Sequence, residues 1–351
     1  MTHRLCFISR NYRGIDSSGN KAKTDNEITL RQMGAHNLGM RTTYYNSKIL
    51  TFFLDLAGII KMMLTIRPGD IVLLQYPVKK YFAFICKFAH LRHAKTIALI
   101  HDLGSMRRKK LTIGQEIKRL MHADYVIASN EKMQGWLAQH GFTNPTGALQ
   151  LFDYRSERVA SASAHQASGA CPSLVYAGAL APRKNSFLLK MQEHIRDYQL
   201  EIYGNESGLP GLQAGDKIHL HGFINPEDFI SGVKGDFGFV WDGDSIDTCS
   251  GNFGEYLRWN SPHKVSFYLR AGLPVIIWKE AALAPIIEKE GAGFAIGSIQ
   301  ELNDRLQTLS ADDIQNMRAN VLRVSNQLRS GRFFTTAVNK ALATLSQVVA
   351  Q

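Results

Sequence analysis

Short apolar runs of strand length recur along the chain, separated by longer stretches in which apolar residues return every three or four positions. In the first half, residues 5–9, 71–75, 96–100 and 125–129 are such runs, residues 25–38 carry helical spacing, and Arg67-Pro68-Gly69-Asp70 is a turn ahead of the second run. Strands alternating with helices predict parallel pairing in a doubly wound sheet. Between residues 156 and 171 the pattern stops in a small, polar, Ser- and Ala-rich stretch, which predicts a linker. The alternation then restarts at 174–176, 199–203, 218–221, 237–241, 274–277 and 293–296. The reading is an α/β chain of two doubly wound domains, residues 1–155 and 172–334, facing a cleft lined by the carboxyl ends of both sheets. A closing helix over 335–349 has no strand of its own to serve and could pack back on the first domain.

One helical segment is unusually apolar. Within residues 50–66, Phe52, Phe53, Leu56, Ile59, Ile60, Met63 and Leu64 repeat at helical spacing, with Lys48, Lys61 and Arg67 nearby. Such a stripe is more often core than membrane contact, so a helix buried in its own domain is the preferred reading and a bilayer surface the alternative. No run reaches the ~18 apolar residues of a spanning helix. The apolar run after Met1-Thr2-His3-Arg4 is too short for a secretory core. The expectation is a cytoplasmic protein, at most peripheral on the inner face of the plasma membrane.

Composition changes the picture in one respect. The 351 residues are 45% hydrophobic and 20% charged, ordinary values for a folded chain, with a net charge of +11. Residues 1–155 hold 23 Lys and Arg against 10 Asp and Glu, so the base excess lies wholly in the first half. That half would attract an anionic partner: a membrane surface, a lipid diphosphate or nucleic acid. No nucleic-acid-binding signature accompanies the charge, so a nucleic-acid partner is not expected. Cys6, Cys86, Cys171 and Cys249 are far apart and include no CxxC, which excludes a disulfide framework or a zinc site by spacing.

Familiar phosphate motifs fail in detail. Gly14 to Lys21 nearly matches a P-loop, but Asn20 stands where its Lys is needed and Ala22 where its Ser or Thr would hold magnesium. No GxGxxG follows any strand, and no His/Asp/Glu cluster has metal-ligand spacing. The informative stretch is 237–278. Ser261 before Pro262 reads as an N-cap with Pro at the first helical position, placing His263 and Lys264 in a first turn. Free N–H groups, the helix dipole and a lysine there suit a diphosphate. In the first half, the strand over 96–100 delivers His101 and Asp102 to the carboxyl edge, where a base could take a proton from an acceptor hydroxyl. Asp16 and Asp25 are rival bases. Trp241-Asp242 ends another strand and could touch a sugar.

The block Gly-Asn-Phe-Gly-Glu-Tyr-Leu-Arg-Trp-Asn-Ser-Pro-His-Lys (251–264), followed by Ala-Gly-Leu-Pro-Val-Ile (271–276), resembles the bacterial glucosyltransferase-3-like and β-1,6-galactofuranosyltransferase family of GT-B sugar transferases. Gly-Asn-Lys-Ala-Lys-Thr-Asp (19–25), Leu-Gln-Tyr-Pro (74–77), Ile-His-Asp (100–102) and Tyr-Ala-Gly-Ala-Leu (176–180) are similar to its other landmarks, in order. The resemblance implies a GT-B fold, a UDP-sugar donor on the second domain and an acceptor on the first. It implies transfer of glucose or galactofuranose to a lipid-linked or protein-linked glycan, in surface polysaccharide or glycoprotein glycan synthesis. It also implies that no cofactor or metal is needed. Arg183 and Lys184 would then face the diphosphate, Tyr203 border the uridine, and Asn260, Pro262, His263 and Lys264 complete the donor site. Gly14, Asp16, Lys21, Asp25 and Asp242 would line the cleft. Larger retaining families place a Glu where this chain has Phe267, and the pair Glu280 and Glu288 falls after the strand, so inverting chemistry is implied. A catalytically silent partner subunit is the alternative, and homo-oligomerisation stays open.

Overall fold

The computed structural model describes residues 3–13, 18–78, 81–107, 110–161 and 171–347. The chain divides into two units, residues 1–153 with 331–351, and residues 154–330. In the first, β1 (Leu5–Phe7), α1 (Ser18–Gln32), β2 (His36–Asn37), α2 (Lys48–Thr65), β3 (Ile71–Tyr76), α3 (Phe82–Leu91), β4 (Lys95–Ile100), α4 (Gly104–Arg107), α5 (Ile113–Leu120), β5 (Tyr125–Ala128), α6 (Glu131–Gln139) and β6 (Thr146–Ala148) follow in order. The second runs through β7 (Ser173–Ala177), α7 (Pro182–Asn185), α8 (Phe187–Met191), β8 (Gln199–Tyr203), β9 (Ile218–Leu220), α9 (Pro226–Gly232), β10 (Phe237–Val240), α10 (Gly251–Tyr256), α11 (His263–Arg270), β11 (Val275–Trp278), α12 (Ala284–Lys289), β12 (Gly293–Ile296), α13 (Ile299–Thr308) and α14 (Ala311–Ser330). Helix α15 (Arg332–Gln347) returns to the first unit.

Each unit is built on a six-stranded parallel sheet, ordered β2-β1-β3-β4-β5-β6 and β12-β11-β10-β7-β8-β9. Helices cover both faces, so the central strands are buried on both sides and read as continuous apolar runs rather than as alternation. Every residue of β5, β7, β10 and β11 is buried. Strand order reverses between β1 and β3 in the first sheet and between β7 and β10 in the second. At such reversals, outside the carboxyl ends of the strands, neighbouring loops part and leave a crevice for a ligand.

The structure departs from the sequence expectation at several points. Helix α1 begins at Ser18, ahead of residue 25, and ends at Gln32, because β2 already occupies His36 and Asn37. The stretch 156–171 is described only at 156–161 and 171, and its first residues are held firmly. Arg270, 1% exposed, donates from Nε to the Tyr154 carbonyl (3.1 Å) and from Nη2 to those of Ser156 (3.1 Å) and Arg158 (2.8 Å). Its Nη1 reaches Ser325 Oγ at 2.7 Å. A buried guanidinium needs acceptors, and this backbone supplies them in place of a carboxylate. Helix α15 sends Phe334, Ala337, Val338, Ala341 and Leu345 into the first unit's core, beside Leu73, Leu99 and Ile127. The apolar helix α2 is not the buried element preferred from its pattern: only Gly58, Ile59 and Met62 are buried. Among the described residues no helix is long and apolar enough to cross a membrane.

Candidate active site

In the second unit the candidate residues converge at the β7/β10 reversal. Helix α11 starts at His263 with Pro262 at its cap position, one residue later than the Ser-Pro pattern predicts, and the proline side chain has no group to cap it. Pro262 itself is extended, with ψ 126°, so it and not Ser261 stands at the cap, and Ser261 is buried. Lys264, half-buried in the first turn, lays its ammonium 3.7 Å from the Tyr176 ring centroid, a cation–π contact. Burial, and next the like charge of Lys184, push this ammonium down to about 7, with Asp242 and Cys249 pulling the other way. Lys184 on α7 stands 3.7 Å from buried Asp242 at the end of β10. Tyr176 donates to Asp242 Oδ1 at 3.2 Å and accepts from Asn185 Nδ2. Gly178, at φ +139°, gives the backbone a conformation that side chains rarely adopt, and a Cβ there would meet Lys264 Cε at 3.7 Å.

The other expected donor residues surround this cluster at varying remove. Arg183 lies over the Phe253 ring, 5.2 Å from its centroid. Tyr203 ends β8, half-buried, with His221 stacked at 4.5 Å and Phe229 edge-on at 5.3 Å. His221 and His219 both bond Glu201, so one carboxylate orients both rings. His263 stacks on Tyr154 at 4.7 Å, and Asn260 buries Oδ1 without a hydrogen bond among the described residues. Trp241, expected to reach a sugar, is instead wholly buried and donates to the Ser245 carbonyl, so only Asp242 of that pair can face a ligand. Phe267 stacks on Phe229 at 4.4 Å, an aromatic packing position. Glu280 pairs with Arg258 in the turn before α12, and Glu288 is exposed on that helix.

In the first unit, His101 and Asp102 follow β4 at the carboxyl edge but have different surroundings. Asp102 pairs with Arg107. His101 stacks on Phe152 at 4.9 Å and shares a hydrogen bond of 2.9 Å with Gln75 Oε1. Gln75 in turn donates from Nε2 to the Lys23 carbonyl and accepts from Asn26 Nδ2, both at 3.0 Å. Its amide orientation is thereby fixed, so the bond requires a proton on His101 Nε2, and the neutral ring keeps its basic lone pair on Nδ1. Lys21 holds both oxygens of buried Asp25 at 2.5 and 2.7 Å. Gly14 and Asp16 lie outside the described residues. Gln75 and Asn26 were not singled out from the sequence as site residues, although Gln75 lies in the Leu-Gln-Tyr-Pro landmark and is a lone Gln near the end of the apolar run of β3.

Among the described residues no group of three or more His, Cys, Asp or Glu is placed to share a metal ion. Two parallel doubly wound units, each with polar and charged side chains at its carboxyl edge, have the architecture of the GT-B glycosyltransferases. Solved structures agree over nearly the whole chain. Anabaena HepE in complex with UDP-glucose aligns at a TM-score of 0.59 with 13% identity, covering 99% of this chain and 100% of that one. The lipopolysaccharide outer core galactosyltransferase WaaB aligns at 0.61 with 14% identity, covering 96% and 99%. Residues 5–151 match the N-terminal domain and 174–341 the C-terminal domain of the glucosyltransferase 3-like proteins, and the chain belongs to that family. It is 30% identical to the β-1,6-galactofuranosyltransferase WbbI of Escherichia coli K12 over 78% of this chain and 79% of WbbI. It is 27% identical to glucosyltransferase 3 of Streptococcus gordonii over 78% and 79%.

Proposed function

We propose that the chain transfers a hexose, glucose or galactofuranose, from a UDP-sugar to a lipid-linked or protein-linked glycan hydroxyl in surface polysaccharide or glycoprotein glycan synthesis, with inversion and without a metal. The observation that carries this reading is the pair of lysines, Lys184 and Lys264, gathered around Tyr176 and Asp242 at the reversal point of the second sheet. Two ammonium groups, with Arg183 on the same short helix as Lys184, match the charge of a diphosphate and can stabilise it as it leaves. The names of the relatives give galactofuranose and glucose as the sugars they transfer, and the structurally similar HepE is solved in complex with UDP-glucose, which supports a sugar nucleotide as the donor. Tyr203 offers an aromatic ring for the base.

An inverting transfer is a single displacement: the acceptor oxygen bonds the anomeric carbon, the bond to UDP breaks, and a base takes the hydroxyl proton. His101 is our candidate base, because Gln75 fixes its tautomer while the Asp102 carboxylate is occupied by Arg107. Incubation with a panel of UDP-sugars in EDTA, scored by UDP release, tests the donor and the metal independence together. Release only after magnesium or manganese is added would refute the metal-free site. NMR of the product from an α-linked donor should show a β linkage, and an α product would reject inversion.

A further inference from the structure

Helix α2 turns an apolar face to solvent. At 3.6 residues per turn, Ile49, Phe53, Leu56, Ile60 and Leu64 fall within about 80° of one another around the axis. Ile49 is 72% exposed, Phe53 60%, Ile60 50% and Leu64 81%. Exposed Phe52 widens this stripe on one side, and Lys61 borders it on the other. Helices α2 and α3 connect β2 to β3 and β3 to β4, stepping the same way across the sheet, so right-handed crossovers place both on one face. On α3, Phe84 and Leu91 are exposed as well.

The surroundings are basic. At the end of the stripe a cavity of about 470 Å³ is lined by Arg4, His36, Lys61, Leu64, Arg67 and Arg92, among others. Arg4 is engaged by Asp70 and Lys61 by the Gly39 carbonyl. The Arg67 and Arg92 side chains form no ion pair among the described residues. Helices α2 and α3 contain one acid, Asp55, whose Oδ1 is buried. A contiguous exposed apolar face usually marks an interaction site. A second copy docked about a two-fold axis would set this face against itself, bringing Lys48, Lys61, Arg67 and Lys87 onto a surface with the same excess of cations. An anionic bilayer satisfies both halves of the surface, since its acyl region takes the stripe and its phosphates take the cations.

We propose that the α2–α3 face docks on an anionic phospholipid bilayer, with Phe53, Ile60 and Leu64 entering the interface and Arg67 and Arg92 meeting lipid phosphates. The proposal does not depend on the donor reading. It is tested by co-sedimentation of the full chain with vesicles of phosphatidylcholine alone or with 30% phosphatidylglycerol. Binding should need the anionic lipid and weaken as salt rises. Phe53→Ser with Leu64→Ser should weaken it at least tenfold, and Arg67→Glu with Arg92→Glu about fivefold per site or more. The emission added by Phe53→Trp, a substitution conservative in fold, should be quenched by lipids brominated on the acyl chain. Equal binding to neutral vesicles, unchanged binding of the serine variant, or no quenching of that added emission would overturn the proposal. So would sedimentation velocity showing a dimer that Phe53→Ser dissolves, because the face would then belong to a second copy.

Discussion

Docking a diphosphate beside Lys264 should draw a proton from solution. In the free protein the ammonium is held down to about 7, chiefly by burial and then by Lys184. UDP-glucose is a diphosphate diester whose two charges do not titrate near neutrality, so any proton taken up on binding goes to the protein. If the bound lysine is fully charged, uptake should be about 0.1 proton at pH 6, about 0.5 at pH 7 and about 0.9 at pH 8. The same linkage makes binding tightest at low pH and weakens it roughly fivefold from pH 7 to pH 8. Titration calorimetry in buffers of different ionisation enthalpy, all with EDTA, reads the proton count directly as the slope of apparent enthalpy. Lys264→Met should abolish the uptake and weaken binding at pH 6 by roughly ten- to a hundredfold, the scale of a lost charge-assisted hydrogen bond. Zero uptake at pH 8 with tight binding would refute the reasoning, since Lys264 would then be charged before the ligand arrives or remote from it.

Other consequences are open to measurement. His101→Ala should lower turnover by about 10²–10⁴-fold while leaving UDP affinity near its original value, and Asp102→Asn should cost much less; the reverse order would move the base to Asp102. Because Lys264 has a lowered pKa in the folded state, the free protein gains stability from this group as pH rises above about 7 toward the unfolded value. Denaturant titrations at pH 7 and pH 9 should show that gain in the parent relative to Lys264→Met, and an equal pH response in both proteins would remove Lys264 as its source. Arg270→Ala should cost about 3–5 kcal/mol by urea unfolding, because it strands several buried acceptors at once. Gly238→Ala should destabilise too, since its Cβ would sit 2.3 Å from the Tyr268 ring, whose hydroxyl accepts from the Ala177 amide, next to Tyr176 of the lysine cluster.

The parallel sheets were legible because strands buried on both faces must be apolar throughout, and β8 and β12 carry the bounds that their runs predict. Strands β2 and β6 were not, since His36–Asn37 and Thr146–Ala148 are short and carry no apolar run. The exposure of α2 was hidden for the opposite reason. An apolar stripe at helical spacing looks the same whether sheet or solvent faces it, and only the tertiary structure shows that Gly58, Ile59 and Met62 form its buried side. At the candidate site, strand ends and a helix start drew attention to His101, Asp242 and Lys264, and the family resemblance to Lys184. Their relations could not be read, because the Lys184–Asp242 approach and the Gln75–His101 bond join positions 58 and 26 residues apart. Trp241 illustrates the remaining ambiguity: successive residues at a strand end point to opposite sides, and periodicity alone does not say which side is covered.

Arg270 sets where the second unit can be cut from the chain. Helix α11 carries Lys264 in its first turn and Arg270 in its last, and Arg270 is satisfied by carbonyls of residues 154, 156 and 158. A fragment trimmed to the strand pattern, starting at residue 172, would retain the guanidinium and lose three of its four acceptors. One starting at Tyr154 and ending at Ser330 keeps them all, together with the bond from Arg155 to the Ser330 carbonyl. The helix that presents the lysine is thus moored by a segment lying outside the sheet it serves, and the smallest portable piece of this second unit is longer than its Rossmann-like core by the 18 residues from 154 to 171.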